Sequence, residues 1–324
     1  MSRVTRTGLQ TLSETASLRI RAAWLYFHRD MTQKQIAEEL GVSRSTVVRM
    51  LDEARNRGEV QIWINEAPNA CTELSVRLQE TLGLDEAVIV PGAGDADQTA
   101  KDVGTALGQF LSEIVANNMT IGVGWGRTLN ASLASFRPNR RTNARVISLQ
   151  GGFLEASTLN PVDVSWQFAS KLGASCLLYL APLVVDSADT KAKLKQHCGL
   201  DRLDSAAAAM DLAVISCGDL GVAGSSLSHS FLGDGEYEQL VDQGAICDTL
   251  CQFLDVDGRT VDHPIHDRVM AVDLDTISKA QRVILASGGA RRAAAIRATI
   301  KRTGATVLVT DEAASRALLD DRAA

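Results

Sequence analysis

Apolar residues follow two different patterns along this chain, and the change comes around residues 66–72. Before it, they recur every three or four positions, which is the spacing of one face of an α-helix. After it, short apolar runs repeatedly end in glycine or in small polar residues, which is typical of strands followed by loops. The pattern predicts a helical N-terminal part and a larger part in which strands and helices alternate.

Two short helices joined by a tight turn are predicted in the stretch TQKQIAEELGVSRSTVVRMLDEARNR. Thr32 and Gln35 have the spacing of a capping box at the start of the first helix. Gly41 ends this helix, because glycine tolerates the left-handed backbone angles of a C-terminal turn. Ser43 is suited to cap the second helix. An apolar helix over about residues 15–29 precedes the pair, so a unit of three helices is expected.

One face of the last of these helices carries side chains suited to reading DNA. Arginine can make bidentate bonds to guanine edges, hydroxyls can bond bases or phosphates, and free helical N–H groups favour a phosphate. This is the layout of a helix-turn-helix that enters a major groove; a helical hairpin that binds nothing is the alternative. The residues predicted to contact DNA are Thr32, Gln33, Ser43, Arg44, Ser45, Thr46 and Arg49.

A short linker is predicted between the two parts. Residues 60–64 alternate weakly between polar and apolar positions, which suggests a strand that could begin a small wing. The segment EAPN that follows is typical of a linker, and a helix is expected from about residue 72 to 82. We therefore predict a DNA-binding domain over residues 1–65, a linker over 66–72 and a second domain over 73–324.

Strands alternate with helices throughout the larger domain. The runs predicted as strands are residues 87–90, 119–123, 145–149, 176–185, 212–216, 282–286 and 305–309. Such alternation indicates an α/β fold with a mostly parallel sheet. Because ligands of these sheets lie beyond the carboxyl ends of the strands, one small-molecule pocket is expected at that edge.

Two glycine loops at predicted strand ends are candidates for binding an anion. In residues 122–128, GVGWGRT, converging N–H groups could form a nest to which Thr128 adds a hydroxyl and Arg127 a charge. The spacing is GxGxG with no clear ribose-binding acid about twenty residues later, so it is a poor dinucleotide fingerprint. A tight strand-to-helix turn is the competing explanation. Residues 288–292, GGARR, repeat the design.

Other polar side chains carry weaker signals. Asp186, Asp219 and Asp248 could bond sugar hydroxyls, or could instead cap helices and turns. His263 and His266 fall in a segment predicted to be a surface loop, and we expect both to be solvated.

Composition narrows the classes of function. The net charge is −6, but residues 1–64 carry ten basic and seven acidic side chains, whereas residues 65–324 carry 23 and 32. A basic end on an acidic body suits a protein that docks one end on DNA, and argues against a uniformly basic coat protein. No apolar run approaches the roughly 20 residues of a membrane span, so no membrane partner is expected.

The six cysteines are scattered, without a CxxC pair or a secretory signal, so reduced thiols in a cytoplasm are expected. Cys247 and Cys251 lie four apart on a predicted helix, but no second ligand pair accompanies them. We therefore expect no metal and no cofactor.

Seven stretches match one known family in their order along the chain: MTQKQIAEELGVSRSTVVRML, IGVGWGRTL, ISLQGG, CGDL, DQGAICD, ASGGARRAAAI and VLVTDEAASRALL. Over roughly residues 18–320 the sequence resembles the SorC family of sugar-binding bacterial transcriptional regulators. The resemblance implies an effector domain similar to sugar-phosphate isomerase and CoA-transferase folds, and a homodimer or homotetramer. It also implies DNA binding that is altered by a phosphorylated sugar or a polyol.

The same resemblance implies roles for individual residues. Gly124, Gly126 and Thr128 match the family's phosphate-cradling loop, Gln150 matches a glutamine that contacts the sugar, and Asp248 matches an acid that faces the ligand. Arg292 stands where most members have lysine; arginine stays charged and cannot form a Schiff base, which suggests a different ligand. The stretch NPVDVSWQFA is similar to regulators of erythritol operons, which implies a small polyol. The predicted effector-binding residues are Gly124, Trp125, Gly126, Arg127, Thr128, Gln150, Gly151, Asp186, Asp219, Asp248, Gly288, Gly289 and Arg292.

The leading hypothesis is a DNA-binding regulator of a sugar or polyol operon, not an enzyme, with repression as the expected sign and activation still open. The alternative from another class is a sugar-phosphate isomerase or deaminase with a DNA-binding appendage. Because no histidine lies in a glycine loop, catalysis would then fall to Asp219, Asp248 or Glu312. A ligand-independent architectural DNA protein is a third possibility, disfavoured by the acidic body.

Overall fold

The computed structural model describes residues 7–60, 69–92, 94–154, 160–221, 232–233 and 235–320. The chain divides into two compact units, Met1–Ile64 and Asn65–Ala324. The predicted wing strand from residue 61 onward, and residues 66–68 of the predicted linker, lie outside the described residues. Residues 69–72 of that linker are helical, because the first helix of the larger unit begins at Asn69 rather than near residue 72.

Three helices form the described part of the smaller unit: α1 (Thr7–Phe27), α2 (Gln33–Leu40) and α3 (Arg44–Asn56). The predicted capping box is present, since Thr32 accepts a bond from the N–H of Gln35, and the Gln35 side chain accepts from the N–H of Thr32. Gly41 ends α2 with a φ of 65°. Ser43 caps α3 by accepting the N–H of Thr46 at 3.1 Å. The helix-turn-helix predicted from these residues is confirmed.

Apolar side chains from all three helices form the core of this unit, and they include Ala22, Leu25, Ile36, Val47, Leu51 and Ala54. A buried charge that the periodicity did not predict joins α1 to the segment that follows α3. The side chain of Arg19 is 6% exposed and donates from Nε to Glu59 at 2.7 Å. This hydrogen bond raises the pKa of Arg19 and lowers that of Glu59, so both stay charged.

The larger unit alternates strands and helices as the sequence predicts. Its described helices are α4 (Asn69–Leu82), α5 (Ala96–Ile114), α6 (Arg127–Ser135), α7 (Pro161–Leu172), α8 (Ala188–His197), α9 (Leu200–Ala207), α10 (Glu236–Asp242), α11 (Leu274–Ile277), α12 (Ala293–Thr303) and α13 (Glu312–Asp320). Its described strands are β1 (Glu86–Val90), β2 (Thr120–Val123), β3 (Arg145–Ser148), β4 (Ser175–Leu177), β5 (Leu212–Ile215), β6 (Gly218–Asp219), β7 (Cys247–Thr249), β8 (Gln252–Leu254), β9 (Arg282–Ala286) and β10 (Val307–Asp311).

Seven of these strands form one parallel sheet in the order β1-β10-β9-β5-β2-β3-β4. From β2 the chain moves to β3 and β4 on one side, and from β5 it moves to β9 and β10 on the other. The topological switch point therefore lies between β2 and β5, where this class of sheet binds its ligands.

Apolar layers cover both faces of this sheet. Along β5, Leu212 and Val214 pack into one buried cluster, whereas Ala213 and Ile215 pack into the other. All four residues are buried, as expected of a central parallel strand covered by helices on both sides. Burying a leucine, valine or isoleucine stabilises the fold by about 1.5–3 kcal/mol, so the loops at the strand ends are supported by a well-packed sheet.

Two predicted elements differ from the structure. The run at residues 176–185 is not one strand: β4 ends at Leu177, and the chain continues through isolated bridges that involve Pro182 and Val184. Cys247 and Cys251 do not share a helix. They lie in a hairpin of the small antiparallel sheet β6-β7-β8, whose turn places Leu250 and Cys251 at positive φ.

The expectation of two solvated histidines was wrong. His263 is 5% exposed, and its Nδ1 accepts the N–H of Ile265 at the start of a 3-10 turn, Pro264–Asp267. His266 accepts the N–H of Phe253 at 3.0 Å through Nε2. Burial lowers the pKa of His266 to about 4. The imidazole of His263 therefore stabilises the 3-10 turn itself, and that of His266 hydrogen-bonds the turn to β8.

Candidate functional site

The predicted DNA-reading face is present at the start of α3. Arg44, Ser45, Val48 and Arg49 are exposed, whereas Val47 between them is buried. The exposed side chains therefore point away from the core of the small unit. Short hydroxyls and arginines at an exposed helix N-terminus are the groups that a helix-turn-helix uses on base edges and phosphates.

Some of the residues predicted to contact DNA also have a structural role. The hydroxyls of Thr32 and Ser43 cap their helices. Ser43 Oγ also lies 2.8 Å from the hydroxyls of Ser45 and Thr46. Capping hydroxyls hold the free N–H groups of a helix start in place, so they can support a phosphate contact without reading sequence.

A cleft of about 570 Å³ borders the predicted DNA face. Arg44 donates from Nε to Gln33 Oε1 at 3.3 Å across one side of it, which links α3 to α2. Tyr26 and Lys34 line the same cleft, although neither was among the predicted DNA contacts. Lys34 is an exposed cation in the first turn of α2, and that position could have indicated it.

In the larger unit, the loop after β2 stands at the switch point. The N–H of Gly124 donates to the carbonyl of Val214 on β5 at 2.9 Å. Gly126 has a φ of 147°, which side chains rarely tolerate, and a Cβ there would lie 3.6 Å from Ser216. The helix that follows begins at Arg127 without a side-chain cap, and Thr128 is 3% exposed beside it. The first N–H groups of α6 therefore have no capping side chain.

Both aromatic and charged side chains of this loop have neighbours. The indole of Trp125 stacks edge-on against Phe153, with ring centroids 5.1 Å apart. Its Nε1 is buried and meets no hydrogen-bond acceptor among the described residues. Arg127 donates to Asp97 at the start of α5 at 2.6 Å. The charge of Arg127 therefore has a carboxylate partner that was not among the predicted residues, in a pair that is exposed to solvent.

The loop after β9 is held by a buried carboxylate at the end of β10. Asp311 is 2% exposed, and its Oδ1 accepts the N–H groups of Gly289 at 2.7 Å and Ala314 at 3.3 Å. A Cβ at Gly288 would lie 3.0 Å from the same oxygen and 2.8 Å from Thr99. Only glycine fits this approach, which is why the predicted loop is glycine-rich.

The predicted residues Arg292 and Asp219 meet directly. Arg292 Nε lies 3.1 Å from Asp219 Oδ1, and both side chains are about 15% exposed or less. Asp219 ends β6, where it is paired in register with Cys247, and Asp248 lies opposite Gly218 on the adjacent strand. The two candidate residues therefore form a largely buried ion pair beside the small sheet.

Gln150 follows β3 and contacts the turn between β7 and β8. It is 1% exposed, and its Nε2 lies 3.9 Å from the sulfur of Cys251, a weak acceptor. The neighbouring Leu250 would lie 3.1 Å from a Cβ at Gly124, and Thr249 donates its hydroxyl to the carbonyl of Ser216. The β7–β8 turn thus contacts the loops that follow β2, β3 and β5.

The described contacts of two predicted effector residues, Gly151 and Asp186, are not with the two glycine loops. Gly151 donates to the carbonyl of Met270, and a Cβ there would lie 2.6 Å from the carbonyl of Ala181. Its lack of a side chain is explained by this packing. Asp186 is exposed, and hydrogen bonds from Thr190 and Ser187 lower its pKa. Its described contacts belong to the start of α8, and none of them joins it to the two glycine loops.

The thiols near the loops are held in their neutral form. Burial raises the pKa of Cys217, Cys247 and Cys251, and a neutral thiol is a poor nucleophile and metal ligand. Among the residues that the structure describes, no group of three or more His, Cys, Asp or Glu side chains could hold a metal ion. No described helix is both long and apolar enough to cross a membrane.

Comparison with known proteins agrees with this geometry. The family described as "Putative sugar-binding domain" matches residues 66–320, and a homeodomain-like domain matches residues 15–63. The erythritol catabolism regulatory protein EryD of Brucella abortus (strain 2308) is 26% identical over 94% of this chain and 96% of its own. The deoxyribonucleoside regulator of Bacillus subtilis (strain 168) is 28% identical over 95% and 99%.

A solved structure shows the same fold over nearly the whole chain. The full-length sorbitol operon regulator SorC from Klebsiella pneumoniae is similar with a TM-score of 0.72 and 24% identity, over 94% of this chain and 99% of that one. The expected combination of a helix-turn-helix and an α/β sugar-binding domain is confirmed. With its match to residues 66–320, the protein belongs to the family of this sugar-binding domain, the SorC family of transcriptional regulators.

Proposed function

We propose that this protein controls a sugar or polyol catabolic operon by binding operator DNA with its smaller unit and a small effector with its larger unit. It acts in the cytoplasm as a homodimer or homotetramer, without a metal or cofactor. Effector binding weakens the hold on the operator, so the protein is a repressor. The relatives named above regulate erythritol catabolism and deoxyribonucleoside use, which supports a carbohydrate-related ligand.

One observation carries the effector half of the proposal. Residues that the sequence analysis selected independently, Arg292 and Asp219, lie 3.1 Å apart, beside a switch point bordered by the uncapped start of α6. Polar groups that converge at the carboxyl edge of a parallel sheet are the usual ligand site of this architecture.

The DNA half is supported by the exposed face of α3. The proposed contacts are Thr32, Gln33, Ser43, Arg44, Ser45, Thr46 and Arg49. A regulator with paired heads reads two half-sites, so the operator is expected to be roughly palindromic, with half-sites one or more helical turns apart. An effector alters operator affinity by binding two arrangements of the heads unequally.

The charged candidates favour binding over catalysis. The acids proposed for an isomerase-like enzyme include Asp219, which is paired with Arg292, and Glu312, which is paired with Arg316. His263 and His266 act as hydrogen-bond acceptors in a 3-10 turn. A general base needs access to a substrate proton, and these groups are engaged elsewhere, so we propose no enzymatic activity.

Arg49→Ala tests the DNA half. The operator is first selected from random duplex DNA with the full chain, and its affinity is measured by fluorescence anisotropy at fixed salt. If Arg49 makes a bidentate base contact, the variant binds weaker by about 1–3 kcal/mol, which is roughly 5- to 150-fold. Arg55→Ala is the matched control, because Arg55 lies at the other end of α3 and pairs with Asp52. Equal affinities for wild type and Arg49→Ala would remove this residue from the reading face.

A further inference from the structure

We infer that Val48 reads a thymine in each operator half-site by contacting the C5-methyl group of that base. The inference rests on the proposed function, since it concerns the DNA face of the same helix. It adds an apolar specificity residue to a set of predicted DNA contacts that are all polar or charged.

The placement of Val48 follows from helical geometry. Residues three and four positions apart lie on one face of a helix, so Val48 shares a face of α3 with Arg44 and Ser45. Val47 is fully buried, whereas Val48 is 37% exposed. Arg49, the next residue, is exposed as well. The side chain of Val48 is therefore presented to solvent among the groups that are proposed to contact DNA.

The charges along α3 indicate that its first two turns are the part that approaches the bases. Arg44 and Arg49 make these turns positive. One turn beyond Val48, the same face carries the exposed carboxylate of Asp52, which pairs with Arg55 at 2.6 Å. Phosphates repel a carboxylate and attract arginines, so the base edges are expected opposite residues 44–49. Val48 falls inside that segment.

Valine is an unfavourable residue for an exposed position within a helix. Its branched side chain loses rotamer freedom there, so its helix propensity is lower than that of alanine, arginine or glutamate. Single exposed apolar side chains are common on protein surfaces, and the position of Val48 is what distinguishes it. Among the exposed large apolar side chains of the described residues, Val48 alone lies on α3. A base that covers this side chain would offset the cost of exposing it.

Thymine offers the chemical group that matches valine. In the major groove it presents a C5-methyl group, whereas the other three bases present hydrogen-bond donors or acceptors. The methyl groups of Val48 neither donate nor accept, so against such an edge they would leave a polar group without a partner. Against a thymine methyl, apolar surface is buried on both sides. The partner of Val48 is therefore assigned as thymine.

Helix dimensions restrict where this thymine lies. At a rise of about 1.5 Å per residue, Val48 is roughly 6 Å along the helix axis from Arg44 and roughly 1.5 Å from Arg49. Successive base pairs are about 3.4 Å apart. The thymine should thus lie within about two base pairs of a base that either arginine contacts.

Replacing thymines by deoxyuridine tests the contact, because deoxyuridine pairs in the same way but lacks the methyl group. The operator is selected from random duplex DNA with the full chain, and each thymine is replaced together with its symmetric mate in the other half-site. Affinity is measured by fluorescence anisotropy at fixed salt. Burying one methyl group is worth about fourfold in affinity. The replacement of the contacted pair should therefore weaken wild type by about fifteenfold.

Val48→Ala then assigns that thymine to Val48. Alanine is the better helix former, so the variant keeps α3 while its side chain is too short to cover the base. The ratio of dissociation constants between the deoxyuridine and thymine operators should fall below about twofold, which is a double-mutant cycle between protein and DNA. Val76→Ala is the matched control, because Val76 is a 50% exposed valine on α4. Its ratio should equal that of wild type.

The outcomes separate this inference from the proposed function. A thymine whose replacement weakens wild type but hardly affects Val48→Ala supports the contact. If every thymine effect persisted unchanged in Val48→Ala, or if no thymine affected wild type, the inference would be overturned while operator binding stands. If selection returned no preferred sequence, the DNA half of the proposed function would fail, and the inference with it.

Discussion

Removing the carboxylate of Asp311 should loosen both the second glycine loop and the last helix. Its Oδ1 accepts the N–H of Gly289 at 2.7 Å and the N–H of Ala314 at 3.3 Å, and the residue is 2% exposed. In Asp311→Ala both donors lose their acceptor. The Ala314 contact is an N-cap bond at the start of α13, and the Gly289 contact fixes the loop that leads to Arg292.

The size of the effect follows from these two bonds. Losing an N-cap acceptor costs about 1 kcal/mol. Losing the bond from Gly289, which is only partly buried, costs about another 1 kcal/mol, because water can replace the acceptor. The expected destabilisation is therefore about 2 kcal/mol. For a unit of this size each kcal/mol lowers the melting temperature by about 2–4 °C, so the shift should be about 4–8 °C.

Differential scanning calorimetry of the full chain measures this shift, and titration with the effector measures the loss of loop order. Asp311→Asn is the matched control, since its amide oxygen can still accept both N–H groups and should restore most of the stability. A melting temperature of Asp311→Ala equal to that of wild type would show that this carboxylate stabilises neither the loop nor α13. An asparagine variant no better than alanine would show that charge, rather than hydrogen bonding, holds the loop.

Two further predictions concern the backbone and the pH dependence. Gly126→Ala places a side chain on a backbone with a φ of 147°, at a cost of about 1–3 kcal/mol. Effector titration should therefore show weaker binding, while operator affinity is unchanged. Gly199→Ala is the control, because Gly199 also has a positive φ with open space around it, and this variant should bind effector normally. Burial lowers the pKa of His266 to about 4, whereas an unfolded histidine titrates near about 6.5. Below pH 6.5 the unfolded chain therefore takes up a proton that the folded imidazole refuses until about pH 4. The unfolding free energy should fall by about 3 kcal/mol across that window. Urea unfolding at several pH values measures this slope, and His266→Gln should flatten it; an equal slope in the variant would assign the loss to other groups.

Local signals in the sequence were sufficient to predict the helix-turn-helix. The capping box of Thr32 and Gln35, the glycine stop at Gly41 and the cap at Ser43 each depend on residues within a few positions of one another. Long strands of the parallel sheet were predictable for a similar reason, because each is a continuous apolar run. The small sheet was missed, since its strands have only two or three residues, too few to show an alternation.

Pairings between distant residues could not be predicted from the chain alone. Asp97 and Arg127 are 30 positions apart, and Arg292 and Asp219 are 73 apart. The motifs selected Arg127, Arg292 and Asp219 as candidates but gave no sign that Arg292 pairs with Asp219 in a largely buried contact, or that Arg127 pairs with Asp97 at the surface. His266 is a further example: its polar neighbours suggested an exposed loop, whereas the fold packs the half-buried imidazole against Phe253 of β8.

The central claim is that a ligand of the larger unit changes the affinity of the smaller unit for DNA. Fluorescence anisotropy of the full chain on its selected operator, with and without saturating polyol, tests this most directly. We predict that the polyol weakens binding by roughly 5- to 150-fold, the range of coupling between two linked sites. Identical dissociation constants in the presence of a polyol shown by calorimetry to be bound would contradict the claim, because a bound effector without coupling does not regulate.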